Sequence, residues 1–241
     1  MVDFDKIWVE KYRPATLDDI ILDERTLKQV KEFKEEIPNL LFVGNPGTGK
    51  TTLARIIVND MLGCNYLYIN ASDESGIDTI RHNITNFAQT KSFDGKVKVI
   101  ILDEADGLTT QAQGALRNTM ETYAKYCRFI LTANYKHKII PAVQSRCQAL
   151  DIKPVVQLAV KRCYGILKNE KINVPEEQRK KFVQLVKRHF PDLRKTINEL
   201  QKNIIDSELC IISVTGDNEL LEAVYKKIAS KQCLEARRYL I

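Results

Sequence analysis

The chain has 241 residues, 44% of them hydrophobic and 28% charged, which fits one large folded unit or one and a half and excludes a low-complexity or disordered chain. No apolar run reaches the roughly 18 residues that a membrane span needs, and the opening MVDFDKIWVEKYRP is charged from its start, with no signal core. The net charge of +6 is compatible with a nucleic-acid partner without demanding one.

From Pro38 to Asp151 short apolar runs alternate with helical stretches, the pattern of a parallel α/β sheet. NLLFVG, YLYINA, VKVIILDE, RFILTAN and CQALDI read as strands, and their nearly continuous apolar content predicts cover on both faces. TTLARIIVNDML, IDTIRHNITNFAQ and TQAQGALRNTMETYA read as the helices between them. After DIKPV the apolar spacing becomes helical, with Leu158, Cys163, Ile166 and Leu167 and then Phe182, Leu185, Val186 and Phe190, punctuated by Pro154, Pro175 and Pro191. The tail from Thr215 reads as one or two further amphipathic helices. Residues 1–150 hold 19 basic and 19 acidic side chains, so the whole positive excess belongs to residues 151–241, with 18 and 12. Six cysteines, at 64, 127, 147, 163, 210 and 233, form no C-x-x-C pair and read as free thiols of a reducing compartment.

GNPGTGKT, Gly44 to Thr51, fits the G-x-x-x-x-G-K-[ST] phosphate loop, with a strand leading in and a helix leading out. Gly44, Asn45, Pro46, Gly47, Thr48 and Gly49 would wrap backbone N–H groups around phosphate, with Thr52 in the first turn of the helix. Lys50 would reach the β- and γ-phosphates of ATP, and the Thr51 hydroxyl would ligate Mg2+. Downstream, VKVIILDEAD ends a buried strand in two acids. Asp103 is expected to hold the hydrated magnesium ion and Glu104 to orient and deprotonate an attacking water. Asp-Glu at a strand tip can also cap a following helix, but beside a phosphate loop hydrolysis is the better reading. Asn134, at the end of LTAN, could hold the same water. In VQSRCQAL, Arg146 stands at the start of what reads as a buried strand, between a serine and a cysteine.

These motifs together resemble the AAA+ ATPases, and within them the sliding-clamp loaders. WVEKYRP, NASDESGIDTIR, ILDEADGLTTQAQGALRNTMETY, TAN and QSRC resemble replication factor C small-subunit motifs in their order, and SFDGKVKVIILDE and FPDLRKTINEL are closer to the ATPase subunit of phage clamp loaders. The resemblance implies a P-loop AAA+ core with a parallel five-stranded sheet over residues 1–152, a small all-helical lid over 153–213, and over 214–241 the start of a helical collar that stops early. It implies that Arg146 is an arginine finger acting in trans on a neighbour's ATP, that Arg194 is a lid arginine touching ATP in cis, and that Val9, Tyr12, Arg13 and Pro14 cover the adenine. This sequence has Pro191-Asp192 where many members have Gly-Asp, as in the phage type.

By the same resemblance the partners are other clamp-loader subunits in a pentamer, a sliding clamp and primer–template DNA, with no membrane. The DNA would follow helix starts at Gly76, Thr110 and the basic Arg81, while Thr85 stands where many cellular members have Lys. The expected activity is ATP hydrolysis that opens the clamp and places it on DNA during replication. Localisation is expected to be cytoplasmic, the host cytoplasm for a viral protein and the nucleus for a eukaryotic one. Two alternatives are another AAA+ DNA-remodelling ATPase, such as a branch-migration helicase, and a non-hydrolysing ATP-binding scaffold. The short segment between Asn70 and Val97 leaves little room for the DNA-gripping hairpin of the first, and the full set of catalytic side chains speaks against the second.

Overall fold

Strand β1 (Leu40–Val43) is wholly apolar because it lies inside a sheet with a strand on either side. With β2 (Tyr66–Asn70), β3 (Lys98–Asp103), β4 (Cys127–Ala133) and β5 (Gln148–Asp151) it forms a five-stranded sheet in the order β2-β3-β4-β1-β5. Every pairing is parallel. The computed structural model describes residues 7–73, 77–90 and 96–211, with residues 77–81 by their backbone alone.

Alternate residues of each strand face opposite sides of the sheet, and helices cover both. On one face Ile84 and Ala88 of α4 (Ile77–Gln89) and Ala112, Leu116 and Met120 of α5 (Thr110–Thr122) pack with Leu41, Ile100, Leu102, Phe129 and Leu131. On the other, Val30 of α2 (Glu24–Glu32) and Leu53 and Ala54 of α3 (Lys50–Ile56) pack with Leu40, Phe42, Val99, Ile101 and Ile130. Helix α3 runs on into a π-helical turn over Ile57–Met61. A buried polar residue, Gln113, ties α5 to the chain beyond β4. Its amide donates to the carbonyls of Leu108 and Lys138, and its oxygen accepts from the Ile140 N–H, so that no polar atom of the side chain is wasted.

Because the strands are parallel, their C-terminal tips share one edge. There β1 opens into the phosphate loop, β3 ends at Asp103 and β4 is followed by Asn134, side by side. That edge of a parallel sheet is where this class of fold places ligands.

β5 corrects the expectation of a buried strand after Arg146. Among the described residues it pairs with β1 alone, and only Leu150 of its four residues is buried. An apolar run on an edge strand has one neighbour instead of two. Arg146 itself lies in the turn between the short helix α6 (Pro141–Gln144) and β5, and its carbonyl accepts from the Asn39 side chain.

Helices α7 (Val156–Asn169), α8 (Glu176–His189) and α9 (Leu193–Lys202) form the lid. They are followed by a two-residue-per-strand antiparallel hairpin, β6 (Ile204–Ile205) and β7 (Glu208–Leu209), which helical periodicity does not reveal. Asp206 and Ser207 at its tip both have positive φ, 48° and 62°, the backbone of a tight primed turn built here without its usual glycine. The arm at the start of the chain belongs with this unit. Trp8, in α1 (Trp8–Lys11), is buried among Ala159, Cys163, Leu185 and Leu200, and Tyr12 donates to Glu170. Cys127, Cys147, Cys163 and Cys210 are free thiols, while Cys233 lies outside the described residues. Among the described residues no helix is long and apolar enough to cross a membrane.

Candidate nucleotide site

The loop from β1 to α3 turns on two glycines at positive φ, Gly47 at 73° and Gly49 at 95°. Any other residue type would be strained there. The turn aims the N-terminus of α3 and the side chains of Lys50 and Thr51 at the sheet edge. Lys50 is 8% exposed, and its ammonium donates to the carbonyls of Gly44 and Asn45 at 2.8 and 2.9 Å and to Asn134 Oδ1 at 2.8 Å. Burial pulls its pKa below the ordinary lysine value, Asp103, Asp106 and Glu104 pull it back up, and Arg194 pushes it down again. Arg194 and Lys50 therefore feel each other as like charges on one site.

Thr51 donates to both carboxylate oxygens of Asp103, at 2.8 and 2.9 Å. A hydroxyl whose proton goes to a carboxylate keeps its lone pairs for a cation. Thr132 adds a bond to Asp103 Oδ1 at 2.6 Å and Tyr68 one to Oδ2 at 2.8 Å. Glu104 follows with φ 54°, its N–H donating to Thr132 Oγ1 and its carboxylate accepting from Ser72 Oγ at 2.6 Å. Asp106 takes the N–H groups of Asn134 and Tyr135 on one oxygen, fixing the chain just past β4.

One cavity gathers most of these groups. It is lined by Pro46, Gly47, Thr48, Gly49, Lys50, Thr51 and Thr52 of the loop, by Asp103, Glu104, Thr132 and Asn134 of the strand tips, and by Leu193, Arg194 and Ile197 of the lid. Val9, Tyr12, Arg13 and Pro14 line it too, together with Asp19, Ile20, Ile21 and Arg162. Gly44 and Asn45 do not line it but hold Lys50 through their carbonyls. The lid touches the loop directly, since the Leu193 N–H donates to the Gly47 carbonyl at 3.1 Å.

Arg146 is outside this cavity. Its guanidinium pairs with Glu121 near the end of α5 and donates to the Ala142 carbonyl at 2.6 Å. Of the expected DNA-facing residues, Thr110 is exposed at the first turn of α5, behind the Thr109 cap. Gly76 and the side chain of Arg81 lie outside the described residues. Sequence reasoning missed Tyr68, Ser72, Thr132 and Asp106. Thr132 carried a signal, since it lies two residues before Asn134 in the strand beside β3. Ser72 and Tyr68 carried none, for their partners are 32 and 35 residues away.

Residues 40–154 match the family of ATPases associated with various cellular activities, and residues 151–209 match the sliding-clamp-loader large subunit AAA+ ATPase lid domain. The replication factor C small subunit of Archaeoglobus fulgidus is 40% identical over 98% of this chain and 77% of its own length. The chain belongs to the replication factor C small subunit family. It is accordingly an AAA+ ATPase, a subunit of the clamp-loader type that serves DNA replication. The same family name attaches to a Methanococcus vannielii protein, 42% identical over 94% of this chain and 70% of its own. In fold the chain is also similar to the Thermotoga maritima RuvB Holliday junction branch migration motor, with a TM-score of 0.62 over 80% of this chain and 64% of that one. At 21% identity this second likeness shows the shared fold alone, so the branch-migration alternative is not favoured.

Proposed function

We propose that this ATPase subunit works in a pentameric assembly with other clamp-loader subunits, using ATP binding to open a sliding clamp and hydrolysis to leave it on primer–template DNA. The observation that carries the reading is the position of Arg146. Lys50, Thr51, Asp103, Glu104, Asn134 and Arg194 converge on one cavity, whereas this arginine lies outside it on the chain's own surface. A guanidinium that serves phosphoryl transfer from there serves a neighbour's ATP.

Within one subunit the roles divide by geometry. The loop N–H groups and Lys50 bind the phosphates, and Arg194 brings the lid onto them. Val9, Tyr12, Arg13 and Pro14 take the adenine end. The all-oxygen pair of Thr51 and Asp103 fits Mg2+, which typically keeps waters and only one or two protein ligands. A magnesium ion held by Thr51 and Asp103 would supply positive charge against the phosphates. Glu104 accepts the proton of the attacking water, which Asn134 helps to orient. DNA phosphates meet the exposed start of α5 at Thr110, with Gly76 and Arg81 as the further contacts that the resemblance implies.

Steady-state ATP turnover, measured with and without clamp and primer–template DNA in the assembled loader, tests this. Stimulation that requires both together is expected, and Glu104→Gln should abolish it while ATP still binds. Turnover indifferent to clamp and DNA would leave an ATPase and remove the clamp-loading role.

A further inference from the structure

Asp103 is held by more than the motif supplies. Thr51 and Thr132 are short side chains on the elements that border the site, but the third hydroxyl comes from β2. The register sets Asn70 beside Asp103 and Tyr68 beside Ile101, so Tyr68 reaches forward along the sheet edge to the carboxylate. Its residue is 37% exposed, yet the hydroxyl turns in to bond an acid that is only 8% exposed. The ring is fixed as well. The Arg55 guanidinium lies 4.8 Å from its centroid, and Arg55 is one turn beyond Thr51 on the same helix.

We infer that Tyr68 is a positioning residue for the metal-holding carboxylate, its hydroxyl fixing Asp103 so that the acid presents to a hydrated Mg2+ ion in one orientation. Thr132 pins Oδ1 and Tyr68 pins Oδ2, so the carboxylate plane is fixed from both ends without any change in its charge. The inference rests on Asp103 as the magnesium-holding acid. It adds a residue that belongs neither to the phosphate loop nor to the acidic strand tip. Outer partners of this kind orient a ligand before the metal arrives, and their loss typically weakens metal binding about 10- to 100-fold.

Tyr68→Phe removes one oxygen and keeps the ring and its contact with Arg55. The test is binding of a fluorescent ATP analogue to the variant, in EDTA and across a Mg2+ titration, with Asp103→Asn as reference. Affinity in EDTA should stay within about two-fold of the parent, while the Mg2+ midpoint rises about ten-fold. A midpoint unmoved in Tyr68→Phe but moved in Asp103→Asn overturns the role of the tyrosine. Equal weakening with and without Mg2+ overturns it too, since that is a structural effect. If Asp103→Asn itself leaves the Mg2+ dependence unchanged, the metal assignment fails, and the inference with it.

Discussion

Gly47→Ala tests the contact between lid and phosphate loop. A Cβ added at Gly47 would stand 1.9 Å from Asp192 Oδ1 and 2.4 Å from its Cγ, at a φ of +73°. Placing alanine in that left-handed backbone costs about 1–2 kcal/mol. Asp192 cannot simply swing aside, because the same Oδ1 accepts from the Lys195 N–H at 2.9 Å and caps α9. Displacing that cap costs about 1 kcal/mol more. The total of about 2–3 kcal/mol corresponds to a fall in Tm of roughly 5–10 °C for a protein of this size. Asp192→Gly resolves the two parts, since glycine at a cap costs only a few tenths of a kcal/mol relative to aspartate. Alone it should lower Tm slightly, yet in the Gly47→Ala background it should raise Tm by about 1–3 °C by removing the clash. Melting curves of the four proteins, monitored by circular dichroism, give the answer. If Asp192→Gly lowers Tm equally in both backgrounds, the two residues do not touch and the lid is not seated on the loop as described.

Two further outcomes are expected. Lys50→Ala and Arg146→Ala should each lower turnover by about 10³-fold or more, yet assemblies mixing the two variants should regain part of it, and no recovery in a verified mixture would assign Arg146 a role in cis. His189, at the end of α8, has its pKa held below the ordinary 6.5 chiefly by burial and by Lys195, with Arg188 adding to this and Glu199 and Asp192 opposing it. A base depressed in the folded state leaves the unfolded state binding more protons, so stability is full above about pH 6.5 and falls as pH drops below it. His189→Gln should flatten that slope in urea melts between about pH 7 and 5.5.

The core of the molecule was legible because its signals are local. LLFV before GNPGTGKT and VIILD before Glu104 state strand, direction and chemistry within twelve residues or fewer, and a parallel sheet then brings their tips together. What failed to show needed a third dimension. CQALDI has the composition of a buried strand, but its place at the sheet edge depends on which strand it pairs with, and β1 is its one partner among the described residues. The hairpin after α9 turns through Asp206-Ser207, residues that tolerate the turn without announcing it. Tyr68 of β2 and Ser72 just beyond it reach Asp103 and Glu104 at the tip of β3 only because β2 lies alongside. Ser72, Thr132 and Asp106 lie inside stretches already read as motifs, so what stayed hidden was the partner each one meets and not the segment that carries it.

The same distinction bears on how Arg146 can be both held and available. Its backbone is fixed from the sheet side, where Asn39 donates to its carbonyl while also accepting from the Phe129 N–H. Its side chain is held differently, by one bond to the Ala142 carbonyl and by an ion pair with Glu121 in which 34% and 51% of the two side chains are exposed. An ion pair this open contributes only about 0–1 kcal/mol. The guanidinium can therefore exchange one carboxylate for a triphosphate, with its higher charge and fork-shaped complementarity, at little cost. A buried pair would have bound the arginine too firmly for such an exchange, and an unpaired side chain would have lost more rotamer freedom on contact. Rigid backbone with a weakly held head is the arrangement that the proposed role in trans requires.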